Sequence, residues 1–270
     1  MSHPLLEKHR ATLDGALNAI HTRGYWSAYT EMPSPKVYGD NAMADGKAAF
    51  MAHLGKTFDL GQPGTRDTHG GEESPYGIEL NVRYPVCAPE VLIDAGQQAM
   101  AAWQAVGADG RAGICLEILD RLNKQSFEIA HAVMMTTGQG WMMAFQAGAP
   151  HAQDRGLEAL AYAYREMKFV PAETVWEKPQ GKNPPLVMKK HFAVVGRGVA
   201  LVVGCGTFPT WNTYPGLFAA LATGNPVIVK PHGNAILPAA ITVKTIRAVL
   251  AENGIDPNLV TLCVAPKRET

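Results

Sequence analysis

From residue 198 onward, short apolar runs alternate with amphipathic stretches, and few folds accept that pattern. The runs lie at 199–204, 227–230 and 260–264, and the stretches between them, 211–222 and 238–253, have helical spacing. Strands that are apolar along their length are buried on both faces. When such strands alternate with helices, they build a parallel sheet flanked by helices. Both crossovers are expected to be right-handed. The pattern predicts the opening of a doubly wound α/β sheet, whose ligand crevice lies at the carboxyl ends of the strands.

Upstream, residues 5–20 have a helical period carried by Leu6, Leu13, Leu17 and Ile20, and 30–76 read as irregular. Residues 78–84 alternate like a half-buried strand. Helices are expected at 90–106, ended by Gly110, and at 111–123. Another is expected at 127–137, capped by Ser126 and closed by Gly138 and Gly140, and a last one at 153–167. The methionines around Trp141 suit either core filling or an adaptable binding surface. After Pro184 and Pro185, residues 186–195 form a β run that the turn Gly196-Arg197-Gly198 divides from the sheet. The expected division is an extended N-terminal segment with one helix at 1–77 and a helical part of a cofactor-binding domain at 78–170. A β arm follows at 171–197, then a partial dinucleotide-binding β-α-β-α-β unit at 198–270.

Hydrophobic residues make up 47% of the 270 and charged residues 18%, which suits a packed core and argues against disorder. Lys plus Arg and Asp plus Glu both count 24, so no basic field invites nucleic acid. The four cysteines are dispersed without a CxxC pair, which predicts reduced thiols in a cytoplasmic protein. No HExxH or paired Cys/His motif points to a metal, no P-loop appears, and no apolar stretch approaches a membrane span. Lys244 and Arg247 read as solvated charge on a helix's polar face.

The strand ends carry the candidate chemistry. The first strand leads into Gly204-Cys205-Gly206-Thr207-Phe208-Pro209. Such a turn lets backbone approach a nicotinamide or phosphate, or simply uses glycine's conformational freedom; the third glycine of the dinucleotide fingerprint is missing. The second ends in Lys230-Pro231-His232-Gly233. Lys230 either enters the crevice to meet sugar hydroxyls or points into water. The cofactor-binding candidates are Val203, Gly204, Cys205, Gly206, Thr207, Lys230, His232 and Gly233.

Gly198-Val199, then Cys205-Gly206-Thr207-Phe208-Pro209, then Ala220-Leu221-Ala222-Thr223-Gly224-Asn225-Pro226-Val227-Ile228-Val229-Lys230-Pro231, resembles the aldehyde dehydrogenase superfamily without a gap. Trp103, Arg111 and the helix around 119–122 match the region before its cofactor site in order and spacing. The run 204–212 and the long N-terminal segment look most like the phenylacetic-acid-degradation branch. The resemblance implies the N-terminal half of an aldehyde-dehydrogenase-like fold, with helices packed on an incomplete parallel Rossmann-like sheet. It implies NAD or NADP and a small-molecule aldehyde, a ring-opened semialdehyde carried as a coenzyme A thioester. It also implies a homo-oligomer joined through the 186–195 run.

By the same resemblance, the backbone at Val203, Gly204 and Cys205 lines the nicotinamide-ribose side, and Lys230 bonds the adenosine ribose. Thr207 stands where the family's asparagine holds the oxyanion; its hydroxyl donates one bond but is shorter, and Asn212 is the candidate substitute. Gly233 stands where many NAD-preferring members carry a glutamate, which leaves NADP open. In the family, a thiolate attacks the aldehyde, hydride passes to the nicotinamide, and a glutamate activates the hydrolytic water. That cysteine and that glutamate are expected beyond Thr270; Cys205 reads as a small residue at a backbone contact. The chain stops at 265–270, directly after the third strand, and reads as cut from a longer enzyme. The alternative is a shortened, non-catalytic nucleotide-binding or subunit-interaction protein. Thr207 and Lys230 should occupy neighbouring strand tips and face one slot.

Overall fold

The structure, a computed structural model, describes residues 3–265; the expected stop after residue 265 lies outside the described residues. Helices α1 (Pro4–Lys8) and α2 (Arg10–Thr22) divide at His9 the helix expected at 5–20. Then come α3 (Pro35–Tyr38), α4 (Ala42–Met51) and strand β1 (Thr65–His69), so the segment read as holding one helix holds four and a strand. Ser34 caps α3 by accepting from the Lys36 N–H at 3.3 Å. The short α4 hides in the sequence because its contact is a glycine: a Cβ on Gly46 would lie 2.3 Å from the Phe127 side chain. β1 pairs antiparallel with β2 (Tyr84–Cys87). The strand expected at 78–84 is therefore displaced. Leu80, Val82 and Tyr84 do alternate inward, but before Tyr84 only an isolated bridge from Thr57 to Arg83 forms.

The helical layer is α5 (Pro89–Ala105), α6 (Gly107–Lys124), α7 (Ser126–Thr137), α8 (Trp141–Gly148) and α9 (Pro150–Lys168). Two expected boundaries are corrected. Gly107, at φ +76°, divides α5 from α6, while Gly110 lies inside α6, where a Cβ would meet Val106 at 2.4 Å. Ser126 is the first residue of α7 and not its cap; its hydroxyl donates back to the Asn123 carbonyl at 2.7 Å. Helix α6 buries Ile114, Leu116, Ile118, Leu119 and Leu122 and packs against α1, α9 and the helices of the sheet unit.

Next, β3 (Glu173–Gln180) and β4 (Asn183–His191) form an antiparallel hairpin turning at Gly181, φ +63°. Every residue of both strands is exposed, including Val175, Trp176, Leu186, Val187 and Met188.

The remaining elements are β5 (Ala200–Val203), α10 (Pro209–Ala222), β6 (Val227–Lys230), α11 (Leu237–Glu252) and β7 (Val260–Leu262). The three strands are parallel in the order β5-β6-β7. Val227, Val229, Val260 and Leu262 pack into the main core with α10 and α11. On the opposite face, Ile228 meets Leu92 of α5 and Cys87. That cover stops short of β5, so Leu201 and Val203 are 63% and 56% exposed and the expected burial on both faces holds only for β6 and β7. The outer edge of β7 meets a side chain: the Gln62 amide donates to Leu262 O at 2.8 Å and accepts from Leu262 N at 2.9 Å, as a neighbouring strand would.

Arg247 is a correction. It is buried, with its guanidinium donating to the carbonyls of Leu60 (2.8 Å), Gly61 (2.8 Å), Pro257 (2.8 Å) and Val260 (3.0 Å). Burial lowers its pKa, with Asp256 opposing. Lys244 does stay exposed, its ammonium 5.2 Å from the Phe58 ring centroid.

Candidate functional site

The strand tips are positioned by polar ties to the carbonyls and loops around α10. A helix ends with carbonyls that lack intrahelical donors. In α10 two of these are met from the helical layer: the Trp103 indole donates to Leu221 O at 2.9 Å and Arg111 Nε to Ala222 O at 2.8 Å. The next residues turn sharply at Gly224, φ +92°, onto the 196–198 turn, where a Cβ on Gly196 would lie 2.3 Å from Gly224 O. Asn225 Oδ1 then accepts from Arg197 N at 2.7 Å and Gly198 N at 3.4 Å, which aligns the start of β5 with β6. These contacts give a local reason for the Gly-Asn pair and for Trp103 and Arg111.

The register pairs Val203 with Lys230, and Gly204 N donates to Lys230 O at 2.9 Å. The two-residue period of a strand puts Lys230 on the face of Ile228 and Val203. From Gly204 the chain crosses the end of the sheet to enter α10 on the opposite face, so the crevice runs over the tips of β5 and β6. Lys230 is the last residue of β6, and Thr207 lies in the turn that follows the adjacent strand β5. Thr207 is exposed, Lys230 half-buried, and no hydrogen bond or ion pair engages the Lys230 ammonium among the described residues. Gly204 is buried because a Cβ there would lie 2.9 Å from Thr213 Oγ1. Gly206 faces His232, whose Nδ1 would be 2.9 Å from a Cβ. His232 is exposed and Gly233 half-buried in the loop between β6 and α11. Cys205 is partly exposed, and its Sγ accepts from Phe208 N at 3.3 Å, folding the turn on itself. Asn212 is exposed on the first turn of α10, beside exposed Trp211.

Other cysteines stand elsewhere. Cys115 is fully buried, and burial raises its thiol to about 12. Cys87 is buried beside Gln62 Nε2 at 3.2 Å. Cys263 lies one residue past β7, only partly buried, a correction to its expected place inside the strand; burial raises its pKa while Lys230 opposes.

Two contributors escaped the sequence reading. Glu72 is buried at the start of α11. Its carboxylate accepts from Leu237 N at 3.0 Å, from Ile236 N and from the Tyr84 hydroxyl. Burial raises its pKa against these bonds. Gln139, between two glycines after α7, donates through Nε2 to the Thr207 carbonyl. The only signal for either was a polar residue flanked by glycine. Among the described residues no group of three or more His, Cys, Asp and Glu could hold a metal, and no helix is long and apolar enough to cross a membrane.

A model of the aldehyde dehydrogenase family matches residues 88–270. Among solved structures, an NAD-dependent aldehyde dehydrogenase from Burkholderia multivorans is similar at 60% identity and a TM-score of 0.97, over 99% of this chain and 48% of that one. The Delta-pyrroline-5-carboxylate dehydrogenase from Mycobacterium tuberculosis, bound with NAD, shares the fold at 16% identity and a TM-score of 0.66, over 91% of this chain and 44% of its own. A Thermus thermophilus 1-pyrroline-5-carboxylate dehydrogenase variant does so at 15% identity and 0.65, over 91% and 46%. The chain therefore spans about half the length of these relatives. No curated protein matches. The family match over 88–270 assigns this chain to the aldehyde dehydrogenase family.

Proposed function

We propose that the chain binds NAD or NADP over the tips of β5 and β6 and serves an enzyme that oxidises a small-molecule aldehyde to an acid. The observation that carries this reading is the Gly204–Lys230 junction. It sets an ammonium without a hydrogen bond or ion pair among the described residues beside the glycine-bounded turn that follows the next strand. The residues present fit the cofactor. Lys230 offers donors to ribose hydroxyls, and the backbone of 203–206 allows close approach. At Gly233 no carboxylate stands to repel a ribose 2′-phosphate, so the loop accepts either nicotinamide cofactor.

When bound, the nicotinamide supplies the hydride acceptor. The chain's own residues orient and stabilise. The Thr207 hydroxyl donates to the oxygen that gains charge, and Asn212 offers an amide from the first turn of α10. Attack and water activation belong, by the family resemblance, to a cysteine and a glutamate that are not among these residues. The family resemblance points further, to a ring-opened semialdehyde of phenylacetate degradation, carried as a coenzyme A thioester, in a cytoplasmic homo-oligomer. The hairpin β3–β4 suits the last point, since its apolar side chains find no cover among the described residues.

Titration of the chain with NADH, followed by nicotinamide fluorescence, tests the cofactor site. Saturable binding is expected, weakened about tenfold by Lys230→Ala through loss of a charged hydrogen bond. No binding by the wild type, or equal binding by the variant, would remove the assignment.

A further inference from the structure

The loop between α7 and α8 reaches the turn after β5 through one polar contact. Gln139 Nε2 donates to the Thr207 carbonyl across 68 positions of sequence, and no other hydrogen bond reaches Thr207 among the described residues. The turn's other bonds hold its ends: Gly204 N to Lys230 O at 2.9 Å, Phe208 N to Cys205 Sγ at 3.3 Å, and Asn212 N to Phe208 O at 3.0 Å. Thr207 itself is left to Gln139.

Gln139 is in turn held by the N-terminal segment. Gly138 closes α7 at φ +78°, and Pro75 packs 3.1 Å from where its Cβ would stand. The Tyr76 hydroxyl donates to Gln139 O at 2.8 Å and to Gly138 O at 3.2 Å. The other amide atom, Gln139 Oε1, is buried and has no donor among the described residues. A side chain present only to fill space would be better apolar, because a buried acceptor without a donor is unfavourable. The amide is there for its donor.

We propose that Gln139 is a positioning residue for the turn at 204–208, and that Tyr76 extends this hold to the segment before the family-matched region. The inference rests on reading that turn as the nicotinamide side of a cofactor site. Fixing the Thr207 carbonyl fixes the adjoining peptide plane and so the backbone from which a short hydroxyl departs, which cannot reach as an asparagine amide can. In such a site small misplacements matter.

The test compares the wild-type chain with Gln139→Met, Gln139→Lys and Tyr76→Phe. It measures NADH affinity, AMP affinity, and amide exchange at residues 205–208 without ligand. Met keeps length and volume but cannot donate; Lys can donate to the Thr207 carbonyl. Gln139→Met is expected to weaken NADH about three- to tenfold, with AMP, held on the Lys230 side, unchanged. Gln139→Lys should restore NADH, and Tyr76→Phe should give a smaller loss in the same direction. Equal losses for NADH and AMP would reduce Gln139 to a structural role and overturn the proposal, as would unaltered NADH binding or failure of the lysine rescue. Should the wild type bind neither ligand, the cofactor reading fails and exchange decides. Faster exchange confined to 205–208 in Gln139→Met, reversed in Gln139→Lys, sustains the positioning role; unchanged exchange removes it.

Discussion

The N-terminal segment, residues 3–87, and the sheet unit, residues 198–265, fold onto the same helical layer by different means. The sheet unit is held by broad apolar faces, with Val227, Val229, Val260, Leu262 and most of α11 buried together. The segment also packs apolar side chains into that core, Leu6, Leu13, Phe50, Phe58, Leu80 and Val82 among them, but adds a series of buried polar ties. Lys8 and His9 meet Glu117 at 2.6 and 2.7 Å, Ser27 and the Ala28 N–H meet Asp154, Gln62 pairs with Leu262, and Glu72 caps α11. Apolar faces spread their stabilisation over many contacts, whereas a buried polar point concentrates it in a few bonds whose loss strands their partners. The comparison teaches that both regions share one apolar core, and that the segment is tied to it in addition by particular polar residues.

Arg247 is where the two regions meet, since it serves carbonyls on both sides, and breaking it should have the largest effect. Arg247→Ala removes the guanidinium from four carbonyls, of which Pro257 O keeps the Val260 N–H. It should lower stability in urea unfolding by about 3–5 kcal/mol. A loss below about 1 kcal/mol would mean that water replaces it readily.

Glu117 sharpens the contrast through pH. Burial opposes its charge, but hydrogen bonds from Lys8 and His9 prevail and bring its pKa from 4.5 down to about 2. A carboxylate with a depressed folded pKa adds stability that is present above its unfolded value and lost as pH falls through the folded one. Unfolding followed from pH 5 to pH 2 should therefore show a loss of about 3 kcal/mol at most from this group. Glu117→Gln should flatten that part of the profile; an unchanged slope would count against the anchor.

At the small end, Leu201 lies on the uncovered face of β5 at 63% exposure. Leu201→Ser should change stability of the isolated chain by no more than about 0.5 kcal/mol. A larger loss would show that this face is packed in solution.

The same contrast governs what the sequence disclosed. Apolar periodicity located β6 at its observed bounds, because Val227, Ile228 and Val229 are buried on both faces and the strand closes at Lys230. It placed α10 two residues late, since Pro209 and Thr210 belong to the first turn without apolar periodicity. It misread Arg247, three positions from exposed Lys244, because charge on a helix normally faces water. Only carbonyls at 60 and 61, far away in sequence, reverse that. Near the sheet's end, the places of Lys230 at the end of β6 and of the turn after β5 were legible from the strand pattern, while Gln139 and Glu72 act across 68 and 164 positions that no local pattern joins.

The central claim is a dinucleotide lying over the tips of β5 and β6. Backbone amide shift mapping of the chain during titration with NAD tests it most directly. The expected perturbations centre on residues 203–207 and 230–233, with the β3–β4 hairpin silent. Saturating NAD that leaves those amides in place, or shifts that gather elsewhere, would contradict it.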